Sequence, residues 1–144
     1  MIMTPVPILL DTDTLSAVLR RNPILASKER AYLHVHRRFT FSIMTRYEIL
    51  RGLKAKKADR QLLAFYRFCA ANFVLPLTDP IIVQASDIYA DLYRRGELIG
   101  DADILIAATA MVEGYGIATN NERHFGRIQG LTIDNWLKER AQDE

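Results

Sequence analysis

The apolar residues of this chain fall in short unbroken runs, separated by longer stretches of helical spacing. That pattern limits the fold more than any other feature. The first run, Ile8-Leu9-Leu10, is bracketed at its entry by Pro5 and Pro7 and closed by Asp11. A run of this length without polar alternation predicts a strand covered on both faces, as in a parallel sheet. Phe39 to Ile43, Val74 to Leu77, Ile117 to Thr119 and Leu131 to Ile133 are further candidate strands. Helical stretches lie between them. Thr14 fits the cap of a short helix through Leu19, ended by Asn22-Pro23, and residues 24–37 follow as a second helix. Further helices are expected from Thr45 to beyond Gly52, from Ala58 to Asn72, from Pro80 to about Arg95 and from Ala102 to Glu113. Strand and helix alternate, so the fold class is α/β with a mainly parallel sheet.

A chain of 144 residues is one domain's worth. No linker or repeat divides it, so residues 1–140 read as a single domain and 141–144 as a C-terminal tail. With 49% apolar and 25% charged residues the composition excludes lasting disorder, collagen-like repeats and coiled coils. The single Cys69 excludes an internal disulfide and points to a reducing compartment, the cytoplasm. It sits among Phe65, Phe68 and Ala70 and reads as a core residue. No apolar run approaches the ~18 residues of a membrane span, and residues 1–10 lack the basic start of a signal peptide.

Charge is unevenly distributed. From Arg20 to Arg60 there are twelve Lys/Arg against three acids, Glu29, Glu48 and Asp59. From Asp79 to Asp103 there are six acids against Arg94 and Arg95. A basic half and an acidic segment on one chain fit a polyanion partner beside a carboxylate site; they also fit solvated helix faces.

In an open parallel sheet, ligands bind at the carboxyl ends of the strands. The polar residues that follow the apolar runs are therefore the candidates: Asp11, Thr45 to Glu48, Asp101 with Asp103, and Asn120-Asn121. Each also has a local reading. Asp11 suits a turn, and Asp13 suits a cap or the first turn of a helix. Thr45 and Glu48 have the spacing of a capping box. Asp101 fits a cap after Gly100. Asp103 is harder to explain locally. It stands in Ala102-Asp103-Ile104-Leu105-Ile106-Ala107-Ala108, a helix apolar nearly all round and therefore buried. An ionised carboxylate there needs a partner, a divalent cation or the dipole of the helix N-terminus. Mg²⁺ takes oxygen ligands and often only one or two carboxylates. His34 and His36 lack one-face spacing, no Cys/His set completes a zinc site, and His124 reads as a surface residue or a phosphate contact. No Gly-rich phosphate loop is present.

Taken together, these segments resemble the PIN-domain ribonucleases, and most closely the VapC-type toxins of toxin–antitoxin pairs. The resemblance rests on Ile8-Leu9-Leu10-Asp11-Thr12-Asp13, Ser42 to Gly52, Ile99 to Ala110, and Ala118-Thr119-Asn120-Asn121 followed by Phe125. The ending, Arg127-Ile128-Gln129-Gly130-Leu131 with Asn135-Trp136, also fits. It implies a three-layer α/β/α sandwich with a mainly parallel central sheet. It also implies a catalytic set of Asp11, Glu48 and Asp103, with Asp11 and Asp103 holding Mg²⁺ or Mn²⁺. Asn121 stands where many of the family carry a fourth acid, and Asp13 replaces the more usual Asn. Asn121, Asp101, Asp13 and Thr119 are accessory candidates. The implied reaction is in-line hydrolysis of an RNA phosphodiester, leaving a 5′-phosphate and a 3′-hydroxyl. Arg20, Arg21, Arg37, Arg38, Lys54, Lys56 and Lys57 would hold the RNA backbone. Tyr47 reads either as a base-stacking aromatic or as core. The family further implies a homodimer and a cognate antitoxin whose segment occupies the cleft.

Two alternatives stand beside this reading. One is a PIN module without catalysis that binds RNA or a protein partner, which Asn121 would allow. The other is a haloacid-dehalogenase-like phosphatase with Asp11 as nucleophile and Asp13 as acid. Leu15 departs from the Thr or Val which that motif expects.

Overall fold

A computed structural model describes residues 6–138; the tail expected at 141–144 lies outside them. Five short strands form one parallel sheet: β1 (Ile8–Leu10), β2 (Thr40–Ser42), β3 (Phe73–Leu75), β4 (Gly116–Ala118) and β5 (Ile133–Asp134). Their order is β3-β2-β1-β4-β5. The chain therefore builds outward in one direction from β1, returns, and builds outward in the other. The reversal falls between β1 and β4, where the loops leaving two neighbouring strands diverge and a crevice opens.

Among the described residues seven α-helices join the strands: α1 (Thr12–Leu19), α2 (Ala26–His36), α3 (Ile43–Ala55), α4 (Asp59–Ala71), α5 (Asp79–Arg94), α6 (Asp101–Glu113) and α7 (Glu122–Phe125). They divide between the two faces of the sheet. Ile8 and Leu10 point one way, into a core with Leu15 and Val18 of α1, Tyr32 of α2, Ile49 of α3 and Phe65 of α4. Leu9 points the other way, with Ile117, into a core built from α5 and α6. Period-two alternation thus buries both faces of β1, which is why that strand carries no polar residue. The α/β/α sandwich expected from the sequence is the architecture found.

Helix α6 contributes a long buried face. Ile104, Ile106, Ala107, Ala108, Thr109 and Ala110 are all buried, and Thr109 donates its hydroxyl to the carbonyl of Leu105 at 2.8 Å. Gly114 ends it in the left-handed conformation, φ 78°, which a side chain would strain. Gly116 opens β4 because a Cβ there would stand 3.0 Å from Ile8 Cδ1 and 3.3 Å from the carbonyl oxygen of Thr132.

Several boundaries differ from the sequence reading. The cap of α1 is Asp11, not Thr14, which is buried inside the helix. Asn22 caps a 3₁₀ turn, Pro23–Leu25, ahead of α2. The second strand ends at Ser42, and Ile43 already belongs to α3. The last strand lies at Ile133–Asp134, later than Leu131 to Ile133. The one-turn helix α7 was not expected. Cys69 is half-buried against the first core, and burial pushes its thiol pKa up, the state of an unreactive thiol. Among the described residues no helix is long and apolar enough to cross a membrane.

Candidate functional site

Asp11 ends β1 and caps α1, at the reversal of strand order. Its backbone amide donates to the carbonyl of Ala118 on β4 at 3.0 Å, and its Oδ1 accepts from the amide of Thr14 at 2.8 Å. The residue is only 4% exposed. Burial pushes its carboxyl pKa up to about 6, against hydrogen bonds from Thr119 and Thr14 that favour the ionised form. The negative charge of Asp13 adds to the rise. Thr119 is oriented for its bond because its hydroxyl also accepts from the amide of Asn121 at 2.9 Å.

Glu48 comes from α3. The expected capping box is absent. Ser42 caps the helix by accepting from the amide of Thr45 at 3.1 Å, and Thr45 is buried in the first turn. Glu48 therefore lies in the second turn and has no reach back to the helix start. Its Oε1 instead accepts from the hydroxyl of Thr12 at 2.6 Å. A hydroxyl has one proton, so the 3.2 Å contact between Thr12 and Thr45 is a donation from Thr45 to Thr12. On the other side Glu48 Oε2 lies 3.5 Å from Arg51.

Asp103 is the third residue of α6 and is half-buried. Its carboxyl pKa is raised first by burial, then by the negative charge of Glu48, with a further contribution from Asp13; His124 opposes the rise. Its Oδ2 is 4.0 Å from His124 Nδ1. Glu48 and Asp13 thus lie close enough for their charges to act on Asp103, which stands in the first turn of α6.

The accessory candidates separate. Asn121 caps α7, accepting weakly from the amide of His124 at 3.4 Å, and its Nδ2 lies 2.8 Å from His124 Nδ1. An amide nitrogen can only donate, so this contact leaves the proton of a neutral imidazole on Nε2. Asp13 is exposed in the first turn of α1 and acts on the site through its charge. Asp101 is exposed, and the residue at the cap position is Gly100, with no side-chain cap bond.

The loop entering α6 is pinned. Arg127 donates to the carbonyls of Glu97 and Leu98 at 3.1 and 3.2 Å, and Arg95 donates to the carbonyl of Arg127 at 2.6 Å. These bonds join the α5–α6 loop to the segment after α7, on either side of Asp103.

The basic residues do not form one surface. Arg20 and Lys56 line a cavity of about 470 Å³ together with Thr12, Glu48, Leu53 and Phe65, in the wall between α1, α3 and α4. Lys54 is exposed in the last turn of α3. Arg21, Arg37 and Lys57 hold left-handed turns at φ 56°, 71° and 53°. Arg37 and Arg38 precede β2 and so stand at the amino edge of the sheet, opposite Asp11, with Arg38 over the ring of Phe73.

Thr12 is the residue that sequence reasoning missed. Its signal was its place between two acids in Asp11-Thr12-Asp13, but its partner Glu48 lies 36 positions away. Among the described residues no three His, Cys, Asp or Glu side chains converge as a ready-made ligand cage. The donor set nevertheless suits a hard cation. All the groups are oxygen donors, two carry carboxyl pKa values raised by burial and like charge, and Mg²⁺ usually keeps several waters and needs only one or two carboxylates.

Comparison with known proteins follows the same outline. The family model described as PIN domain matches residues 8–131. Ribonuclease VapC1 of Methanocaldococcus jannaschii is 37% identical over 94 residues, covering 64% of this chain and 67% of that protein. The tRNA(fMet)-specific endonuclease VapC of Salmonella typhimurium is 32% identical over 129 residues, 89% of this chain and 96% of the relative. The crystal structure of DNA-bound VapBC from Salmonella typhimurium superposes with a TM-score of 0.80 at 30% identity, covering 92% of this chain and 99% of the other.

Proposed function

The chain belongs to the PIN-domain family, and on that premise we propose that it is a cytoplasmic, metal-dependent endoribonuclease. It would be the toxin of a toxin–antitoxin pair that cuts a structured RNA loop of the tRNA or rRNA class. The observation that carries this reading is the placement of Asp11 at the β1/β4 reversal, with the charges of Glu48 and Asp13 felt at Asp103. The VapC relatives, named as ribonucleases and endonucleases, support the same class of reaction.

Asp11 and Asp103 would hold Mg²⁺ or Mn²⁺, directly or through water, with Glu48 completing the cluster. An ion bound there supplies a water of lowered pKa and neutralises charge on the phosphoryl oxygens. Thr12 fixes Glu48 in one orientation, and Glu48 orients the attacking water in line with the scissile bond. Thr119 steadies the ionised form of Asp11. Arg20 and Lys56, which line the same cavity as Glu48, hold the RNA backbone without reading sequence.

A cognate antitoxin is the expected protein partner, as the VapBC complexes among the similar structures suggest. A segment of it lying in the cavity between α1, α3 and α4 would cover Thr12 and Glu48, and a basic side chain would compete with the metal. A homodimer is the expected assembly. Ile82, Val83, Tyr89 and Tyr93 on α5 are exposed and give self-association an apolar face.

The second reading, a PIN module without catalysis, draws on Asn121, which supplies a cap to α7 where a fourth acid would stand. One experiment separates the two. Purified chain, freed of any partner, is incubated with total small RNA in Mg²⁺, Mn²⁺ or EDTA, with Asp11→Asn and Asp103→Asn as controls. Discrete metal-dependent cuts lost in both variants are expected. Tight binding without cleavage in any metal supports the binding module.

A further inference from the structure

Tyr47 has two readings in the sequence, base-stacking aromatic or core, and its exposure removes the second. The residue is 53% exposed, so it contributes little to the core. It sits one position before Glu48 on α3. The guanidinium of Arg51, one turn on, lies 5.1 Å from the centre of its ring and 3.5 Å from Glu48 Oε2. One cation therefore touches both the aromatic ring and a carboxylate of the proposed site. Arg46, the neighbour on the other side, differs: it lies over Tyr66 of α4 and beside Cys69. Tyr89 and Tyr93, the exposed aromatics of α5, stack on each other.

We propose that Tyr47 is a stacking plate for one unpaired RNA base next to the scissile phosphate, and that Arg51 braces the plate and meets a neighbouring phosphate. The proposal rests on the ribonuclease reading and names a substrate contact for it. Three physical points carry it. An aromatic ring left in water at a rim offers apolar area that stacking recovers, and every base has a face to stack, so such a plate accepts unpaired bases with little regard to sequence. Arg51 covers one face of the ring, and its cation–π contact limits the ring's freedom, so one face remains for one base. The acids Asp11, Asp13, Glu48 and Asp103 repel phosphate, and Arg51 is a cation in direct contact with Glu48. A base held at Tyr47 thus brings its own phosphate beside Arg51 and the acids.

The test uses the full chain with Tyr47→Trp as a fluorescent probe. The natural Trp136 is 3% exposed and gives a constant background. Titration in EDTA with a short single-stranded RNA, the same strand carrying an abasic site, and the corresponding duplex reads stacking without cleavage. Quenching by the single strand, weaker with the abasic strand and absent with the duplex, is expected. In the cleavage assay Tyr47→Ala raises KM about tenfold or more with kcat little changed, and Tyr47→Phe restores KM. Unchanged KM in Tyr47→Ala together with no quenching overturns the proposal while leaving the nuclease intact. Quenching in a chain that cleaves no RNA keeps the plate and removes the nuclease. Unaltered RNA binding in Tyr47→Ala with loss of a protein partner assigns the surface to that partner and overturns the proposal.

Discussion

The hydroxyl of Thr12 donates to Glu48 Oε1 across 2.6 Å, from the first residue of α1 to the second turn of α3. Thr45 donates to Thr12 behind it. Glu48 is thereby held by a bond from another element of the fold, at the junction of the two helices that wall the cavity. Thr12→Val keeps the shape of the side chain and removes the donor. The expected result is a fall in kcat of about tenfold or more, because a small misplacement of a group acting on the attacking water is costly. Thr12→Ser restores it. Steady-state cleavage rates of the two variants check this.

Asp11 makes stability depend on pH in an unusual direction for a carboxylate. Its pKa is about 6 in the folded chain against 3.8 for an ordinary Asp. The folded state keeps a proton that the unfolded state has lost, so this group's contribution falls as pH rises from about 4 to 6. At 1.36 kcal/mol per pH unit the cost at pH 7 is about 3 kcal/mol. Asp11→Asn retains an oxygen to accept from Thr14 and avoids the charge. In metal-free buffer it is expected to unfold at higher denaturant concentration than the natural chain at pH 7 and at a similar one at pH 4. Denaturant melts at the two pH values measure it, and a less stable variant at pH 7 counts against the buried-charge account.

Mg²⁺ should reverse that ranking. An ion that binds only the folded state stabilises it by mass action. Added Mg²⁺ is expected to raise the melting temperature of the natural chain and to leave Asp11→Asn and Asp103→Asn unmoved. No shift in the natural chain at millimolar Mg²⁺ argues against the metal site whatever the RNA assay shows.

Asn121→Asp adds a carboxylate while preserving the oxygen that caps α7. It also replaces the amide that faces His124 Nδ1 with an acceptor. The expected outcome is a several-fold lower Mg²⁺ midpoint, because the added carboxylate supplies a further charged oxygen for the ion. Metal titrations of the natural chain and the variant measure it.

Arg127 is a latch between the α5–α6 loop and the segment after α7. Arg127→Ala removes two donors to the carbonyls of Glu97 and Leu98. A loss of about 1–3 kcal/mol is expected, since each bond comes from a charged donor. Hydrogen exchange should quicken at residues 96–100 before it quickens in β1.

Legibility in the sequence followed the range of the interactions. The runs at Ile8-Leu9-Leu10 and Ile117 to Thr119, and the apolar helix around Asp103, were readable because burial on both faces leaves a local mark. Asp11, Glu48 and Asp103 were reachable once strand ends were taken as the place to look. The caps were not. Asp11 and Thr14, or Ser42 and Thr45, are alternative cap residues three positions apart, and only the folded backbone distinguishes them, with Asp11 and Ser42 accepting from the amides of Thr14 and Thr45. The role of Thr12 was hidden for the same reason, since only folding brings it to Glu48. Charge counting placed Arg37 and Arg38 with Arg20 and Lys56, but a count along the chain cannot see that Arg20 and Lys56 line one cavity with Glu48 while Arg37 and Arg38 stand at the amino edge of the sheet.

The pairing of β1 with β4 also sets an order in time. Asp11 and Glu48 leave the ribosome early, but the carbonyl of Ala118 that anchors Asp11, the hydroxyl of Thr119 and the carboxylate of Asp103 all come from the last third of the chain. A nascent polypeptide that has emerged only through β3 has β1, β2 and β3 without the strand that completes the crevice. A site built in this way stays unassembled until β4 and the residues that follow it have been made.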